Sequence, residues 1–179
     1  DGVRIELMAN IGTHMDVDNA MNYGAEGVGL FRSEFVFMGR EEIPTEDDQF
    51  QAYKEAIEKC KGKLCVIRTM DIGGDKPLPY LNIPKEENPF LGYRAVRISL
   101  QRDDLFLPQL KAILRAGVYG KVAIMVPMII NVKEFKDVLE RIERAKLELT
   151  HEGKSFSNDV QVGIMVETPS AAVMTPVLA

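Results

Sequence analysis

The stretch "GKLCVIRTMDIGGDKPLPYLN", residues 62–82, decides the fold. Cys65, Val66 and Ile67 make a nearly continuous apolar run, the pattern of a strand buried on both faces. The run stops at Arg68, whose guanidinium remains charged and therefore needs an anion close by. From Asp71 to about Asp103 the chain is rich in Gly, Pro and Asn. An insertion of that length, leaving the C-terminal end of a strand, is usually functional.

Four further apolar runs, several of them nearly continuous, are "IELMANI" (5–11), "GVGLF" (27–31), "VAIMVPMI" (122–129) and "VQVGIMVE" (160–167). Helical patterns lie between them. Thr13 with Asp16 and a terminal Gly24 bracket a first helix. Thr45 before "EDD" opens a second, which presents Phe50, Tyr53 and Ile57 on one stripe and stops at Gly62. "LPQLKAILRAG" (107–117) predicts a third. Asn131 and Glu134 cap a fourth, with Phe135, Val138, Leu139, Ile142 and Leu149 at helical spacing before Gly153. Alternation of strands and helices with short connections predicts an α/β domain with a parallel sheet.

The 179 residues suit one domain, and 46% hydrophobic residues against 27% charged ones predict a folded core. A net charge of −5 argues against general affinity for nucleic acid or anionic membrane, so any anion must be gripped by a few placed cations. The longest apolar run, 122–130, is far shorter than the roughly 18 residues of a membrane span. The opening "DGVRIELMAN" lacks an initiator Met and reads as a piece of something longer. Cys60 and Cys65 have no partners at metal spacing and make no disulfide framework, so reduced thiols and a cytoplasmic setting are expected.

Residues at the strand ends carry the chemistry. The first strand ends near Asn10, the second at Arg32, the third at Arg68 and the fifth at Glu167, while the fourth ends apolar. In parallel α/β folds these ends share one rim, where ligands bind. Arginine offers a planar fork of donors matched to phosphate or carboxylate oxygens. A glutamate beside two arginines makes sense if a hard cation such as Mg²⁺ is shared with substrate oxygens. Two Arg, a metal and a phosphoryl group would make a phosphoryl-transfer site. The plainer reading pairs Arg32 and Arg68 with Glu34, Asp71 or Asp75, and lets Glu167 cap the helix that begins at "ETPSAA". Gly73–Gly74 lacks the spacing of a phosphate loop and reads as a turn, and "GAEGVG" (24–29) is no dinucleotide fingerprint. His14 and His151 fall at helix ends, away from the rim.

Six segments, "ANIGT", "GAEGVGLFRSEFVFM", "PTEDDQFQAYKEA", "IRTMDIGGDKPLPYL", "KEENPFLGYRAVR" and "VGIMVETPSAA", together resemble the C-terminal domain of the enzyme I family. These are the phosphoenolpyruvate–protein phosphotransferases of bacterial sugar uptake. Pyruvate phosphate dikinases and phosphoenolpyruvate synthases are more distant. The resemblance implies a (β/α)8 TIM barrel, of which about five β/α units are present, with 1–179 as a partial domain from its N-terminal part. It implies phosphoenolpyruvate and Mg²⁺ as ligands, Arg32 and Arg68 as phosphoenolpyruvate-binding arginines, Arg94 of "GYRAVR" as a further one, and Glu167 as a metal ligand. It further implies a phosphoaccepting histidine on a separate N-terminal domain, the carrier HPr, and a homodimer built on the barrel. The family's second metal ligand and its cysteine proton donor match nothing here. The piece alone is therefore expected to be inactive, with an exposed strand edge, or else to serve as a dimerisation module.

Overall fold

The computed structural model describes residues 2–75 and 78–179; Lys76 and Pro77 of the long insertion lie outside them. Each predicted run supplies one strand: β1 (Ala9–Ile11), β2 (Val28–Arg32), β3 (Cys65–Arg68), β4 (Val122–Val126) and β5 (Gln161–Ile164). Every neighbouring pair is parallel, and the sheet order β1-β2-β3-β4-β5 follows the chain. Strands β1, β4 and β5 are shorter than their runs. At the front, Val3, Ile5 and Leu7 are 74–77% exposed, and sheet pairing begins only at Ala9.

The helices are α1 (Asp16–Asn22), α2 (Glu34–Phe37), α3 (Glu46–Lys59), α4 (Val96–Ser99), α5 (Asp103–Ala116), α6 (Val132–His151) and α7 (Pro169–Leu178). The cap at Thr45 is a full capping box with Asp48. At α6, Asn131 Oδ1 accepts the Glu134 N–H at 2.8 Å, while Glu134 reaches back to Ile130 instead of Asn131. In front of α1 the carboxylate of Asp16 accepts from Thr13 N and Thr13 Oγ1, so the acid rather than the threonine does the capping. Helix α5 starts at Asp103, a turn earlier than predicted, because Asp103 and Asp104 suit its positive end and Pro108 is accommodated inside it. Leu139 on the predicted stripe of α6 is 37% exposed.

The main core lies between the sheet and α3, α5 and α6, around Phe31, Tyr53, Ile67, Leu110, Ile113 and Ile142. Phe31 and Tyr53 meet edge to face at 5.8 Å. Cys60 and Cys65 are free and buried within it. The long insertion holds a core of its own, in which Met70, Ile72, Leu78 and Leu81 pack with Phe37 of α2, Ile98 of α4 and Leu105 of α5. The sheet is less well covered at β5, which is exposed or half-buried along its length. Among the described residues no helix is long and apolar enough to cross a membrane.

A charge cluster ties α3, α5 and the end of α6. Lys111 pairs with Glu46 and Glu152, Arg115 with Glu46 and Asp47, and Lys154 with Glu46 and Glu152. Hydrogen bonds from Lys111 and then Lys154 hold the Glu152 carboxyl down at about 2. Burial pushes the Glu46 carboxyl up, but Lys154, Lys111 and Arg115 outweigh it and leave a net lowering. A carboxyl depressed in the fold stabilises it above the unfolded pKa, and that contribution is lost as pH falls through the folded one. Resistance to urea should therefore decline between about pH 5 and pH 2. Lys111→Met should make that decline shallower; an unchanged slope would show that the cluster carries none of it.

Candidate functional site

The rim where β2 and β3 end begins with an unusual juxtaposition. Arg32 and Arg68 are Cα partners across the two strands, so two guanidinium-bearing side chains leave neighbouring strands at one level. Like charges that close repel unless something interposes. Carboxylates do. Arg68 Nη2 lies 2.7 Å from Glu34 Oε1, and its Nη1 lies 3.1 Å from Asp71 Oδ2. Asp71 is shared: its Oδ1 accepts from Arg94 Nη2 at 2.9 Å and Nε at 3.1 Å. Arg94 Nη1 then reaches Asp75 Oδ1 at 3.0 Å. The result is an alternating chain, Glu34–Arg68–Asp71–Arg94–Asp75, and its first four side chains are at least nine-tenths buried.

Arg32 stands apart from that chain. Among the described residues it forms no ion pair; its guanidinium lies 4.9 Å from the centre of the Phe35 ring. Phe35 in turn packs over Gly12, where an added Cβ would come within 3.0 Å of the ring. The Nε atoms of Arg32 and Arg68 are buried and, among the described residues, have no hydrogen-bond partner. Each of the two guanidiniums thus keeps an unused donor, and buried donors of that kind call for an acceptor.

Arg94 arrives from the insertion. Gly73 permits its approach, because a Cβ there would lie 2.8 Å from Arg94 Cβ. The next residue, Ala95, is buried with φ 50° and ψ −127°, a conformation that L side chains rarely adopt and one often found at functional sites. Gly73 thus serves close packing, and the turn expected there falls on Gly74 and Asp75.

Glu167 follows β5 by three residues and is exposed. Its Oε1 accepts the backbone N–H of Met128 at 2.8 Å, and Met128 adopts φ 62° to present it. The helix after it is capped by Thr168, whose side chain accepts the Ala171 N–H, so the capping role weighed for Glu167 belongs to its neighbour.

Arg32, Arg68, Arg94 and Glu167 all line one cleft of about 780 Å³. Its charged wall is completed by Glu34, Asp71, Asp75 and Arg97, and Met128 and Ile130, between β4 and α6, leave an apolar strip. Asn10 does not line it. Arg97 escaped the sequence reading; its Nη1 donates to the carbonyls of Leu91 and Gly92, shaping the insertion, and the three-residue spacing Arg94–Arg97 in "GYRAVR" is the signal that could have found it. Neither histidine is at the cleft: His14 pairs with Glu55 and His151 ends α6. Among the described residues no three His, Cys, Asp or Glu side chains assemble as a metal site.

Fold and cleft together define a parallel α/β domain with an arginine-lined cleft at its strand ends. The chain belongs to the PEP-binding domain family of PEP-utilising enzymes, which it matches over residues 1–179. It is 56% identical to the phosphoenolpyruvate-protein phosphotransferase of Haemophilus influenzae, and 52% and 51% identical to those of Staphylococcus epidermidis and Staphylococcus carnosus. Each comparison covers the whole chain, which spans 31% of the length of these relatives.

Proposed function

We propose that the chain is the phosphoenolpyruvate- and Mg²⁺-binding part of a phosphoenolpyruvate–protein phosphotransferase. In this reading residues 1–179 form one partial domain, the first five units of a (β/α)8 barrel. The names of the relatives and the chain-ordered parallel sheet support it. The observation that carries it is the pairing of Arg32 with Arg68 at one level of the rim, with Nε donors unused.

Phosphoenolpyruvate carries a phosphate and a carboxylate, and planar guanidinium forks suit both. Arg32 and Arg68 take the role of gripping the phosphoryl group, with Arg94 supporting them. Phosphoryl transfer asks a protein chiefly for positioning and charge stabilisation, which fixed arginines on strand ends supply. The apolar strip of Met128 and Ile130 suits the ligand's vinylic carbon.

Glu167 fits the role of a magnesium ligand. It is a hard oxygen donor, oriented by the Met128 N–H, and among the described residues it enters no ion pair. One protein carboxylate suffices where substrate oxygens complete the shell, as Mg²⁺ commonly requires. Bound there, the ion would polarise the phosphoryl oxygens and offset their charge. The phosphoryl group would pass to a histidine on a separate domain and then to HPr, the first step of sugar uptake, in a cytoplasmic homodimer.

Calorimetric titration of phosphoenolpyruvate into the chain tests the reading. Binding is expected with Mg²⁺ present and should weaken about tenfold or more without it. Absence of binding in both conditions would defeat the proposal.

A further inference from the structure

Gln109 lies on α5, outside the cleft, and is 1% exposed. Its amide is fully engaged. Oε1 accepts the Met70 N–H at 2.9 Å, and Nε2 donates to Ser33 Oγ and to Tyr53 Oη, each at 3.1 Å. Ser33 is the residue after β2, and Met70 comes two residues after β3. One side chain therefore bridges the two strand ends that bear Arg32 and Arg68.

The bridge has a single workable sense. Met70 N–H must meet an acceptor, so the amide oxygen faces it and the NH₂ faces the two hydroxyls. Tyr53 Oη passes its own hydrogen to Gln49 Oε1 at 3.2 Å, and Gln49 Nε2 donates to the Pro44 carbonyl at 3.1 Å. The sheet cannot replace the contact to Met70. Thr69 N–H still bonds the Met125 carbonyl at 2.9 Å, but one residue later the backbone donor turns to Gln109. Fully paired buried networks of this kind hold their members in one arrangement, and removal of a member leaves costly unsatisfied groups.

We propose that Gln109 is a positioning residue for the cleft. It sets the offset between the ends of β2 and β3, and through them the spacing of Arg32, Glu34 and Arg68. For the ligand affected, this inference rests on the functional reading above.

Two variants separate positioning from plain stability. Gln109→Met keeps the length and burial of the side chain and removes all three of its bonds. Tyr53→Phe removes one of those bonds and the link to Gln49, and leaves both strand-end bonds in place. The first measurement needs no ligand: the Nε–Hε signals of Arg32 and Arg68 in ¹H–¹⁵N spectra. Gln109→Met should move both, and Tyr53→Phe should leave them. The second is titration with phosphoenolpyruvate and Mg²⁺, where Gln109→Met should bind about tenfold more weakly and Tyr53→Phe within about twofold of the parent. Arginine signals that stay put in Gln109→Met, or shift equally in both variants, overturn the inference. A parent protein that binds no phosphoenolpyruvate overturns the functional reading instead, and the arginine spectra then decide the positioning role alone. If Gln109→Met does not fold, Ser33→Ala cuts the β2 arm only and should move the Arg32 signal; an unmoved signal counts against the inference.

Discussion

Arg68→Ala is expected to weaken phosphoenolpyruvate binding by about 100-fold or more and to destabilise the domain by about 3–5 kcal/mol. The two losses have different origins. Binding falls because a planar fork at the ligand is gone. Stability falls because Glu34, with a side chain 2% exposed, loses the Arg68 countercharge inside the protein, and Asp71, at 9%, is left with Arg94 alone. Breaking a buried pair from one side leaves the remaining charge desolvated, which costs far more than the intact pair contributes. Arg68→Lys isolates the binding effect, since it keeps the cation and loses only the fork. It should fold nearly as well as the parent and bind several times more weakly. Urea denaturation and calorimetry on the same preparations give both numbers. If affinity is unchanged while stability drops, Arg68 is a structural ion-pair partner and nothing more.

Glu167→Gln is expected to behave in the opposite way, with a large loss of function and little loss of stability. The amide oxygen of glutamine can still accept the Met128 N–H, so the contact that orients the side chain survives. An amide is a much poorer ligand than a carboxylate for a hard divalent ion. The variant should melt within a degree or two of the parent, yet the gain in phosphoenolpyruvate affinity on adding Mg²⁺ should shrink about tenfold or more. A gain equal to that of the parent would remove Glu167 from the metal's shell. The strained backbone of Met128 gives this prediction its sharpness: φ 62° in a non-glycine residue costs free energy, and the contact it provides is to this carboxylate.

Much of this architecture was legible in the sequence because it depends on local pattern. Short apolar runs, several nearly continuous, marked all five strands, and Thr45 and Asn131 marked where α3 and α6 begin. Arg32, Arg68 and Glu167 were legible as candidates from their places at strand ends, Arg94 came from the family resemblance alone, and one cleft is lined by all four. What stayed hidden is long-range. Nothing near Gln109 announces that its amide joins Ser33 and Met70, which are 76 and 39 residues away. The insertion reads as a loop because its glycines and prolines break periodicity, yet Ile72, Leu78 and Leu81 pack with Phe37. Helix α2 is too short for periodicity to register. Whether Arg68 meets a ligand or a neighbouring carboxylate also lay beyond pattern; Glu34 and Asp71 already hold it, and its Nε remains.

The strands stand in the sheet in the order in which a ribosome would deliver them. Each new β/α unit can dock on the one just completed, without waiting for a distant partner, which favours growth by accretion during synthesis. Arg32 and Arg68 are made before Glu167, which follows Arg68 by about a hundred residues. A nascent chain thus completes the Glu34–Arg68–Asp71–Arg94–Asp75 ladder well before the fifth strand is laid down, and the acid across the cleft, Glu167, is the last of its charges to arrive.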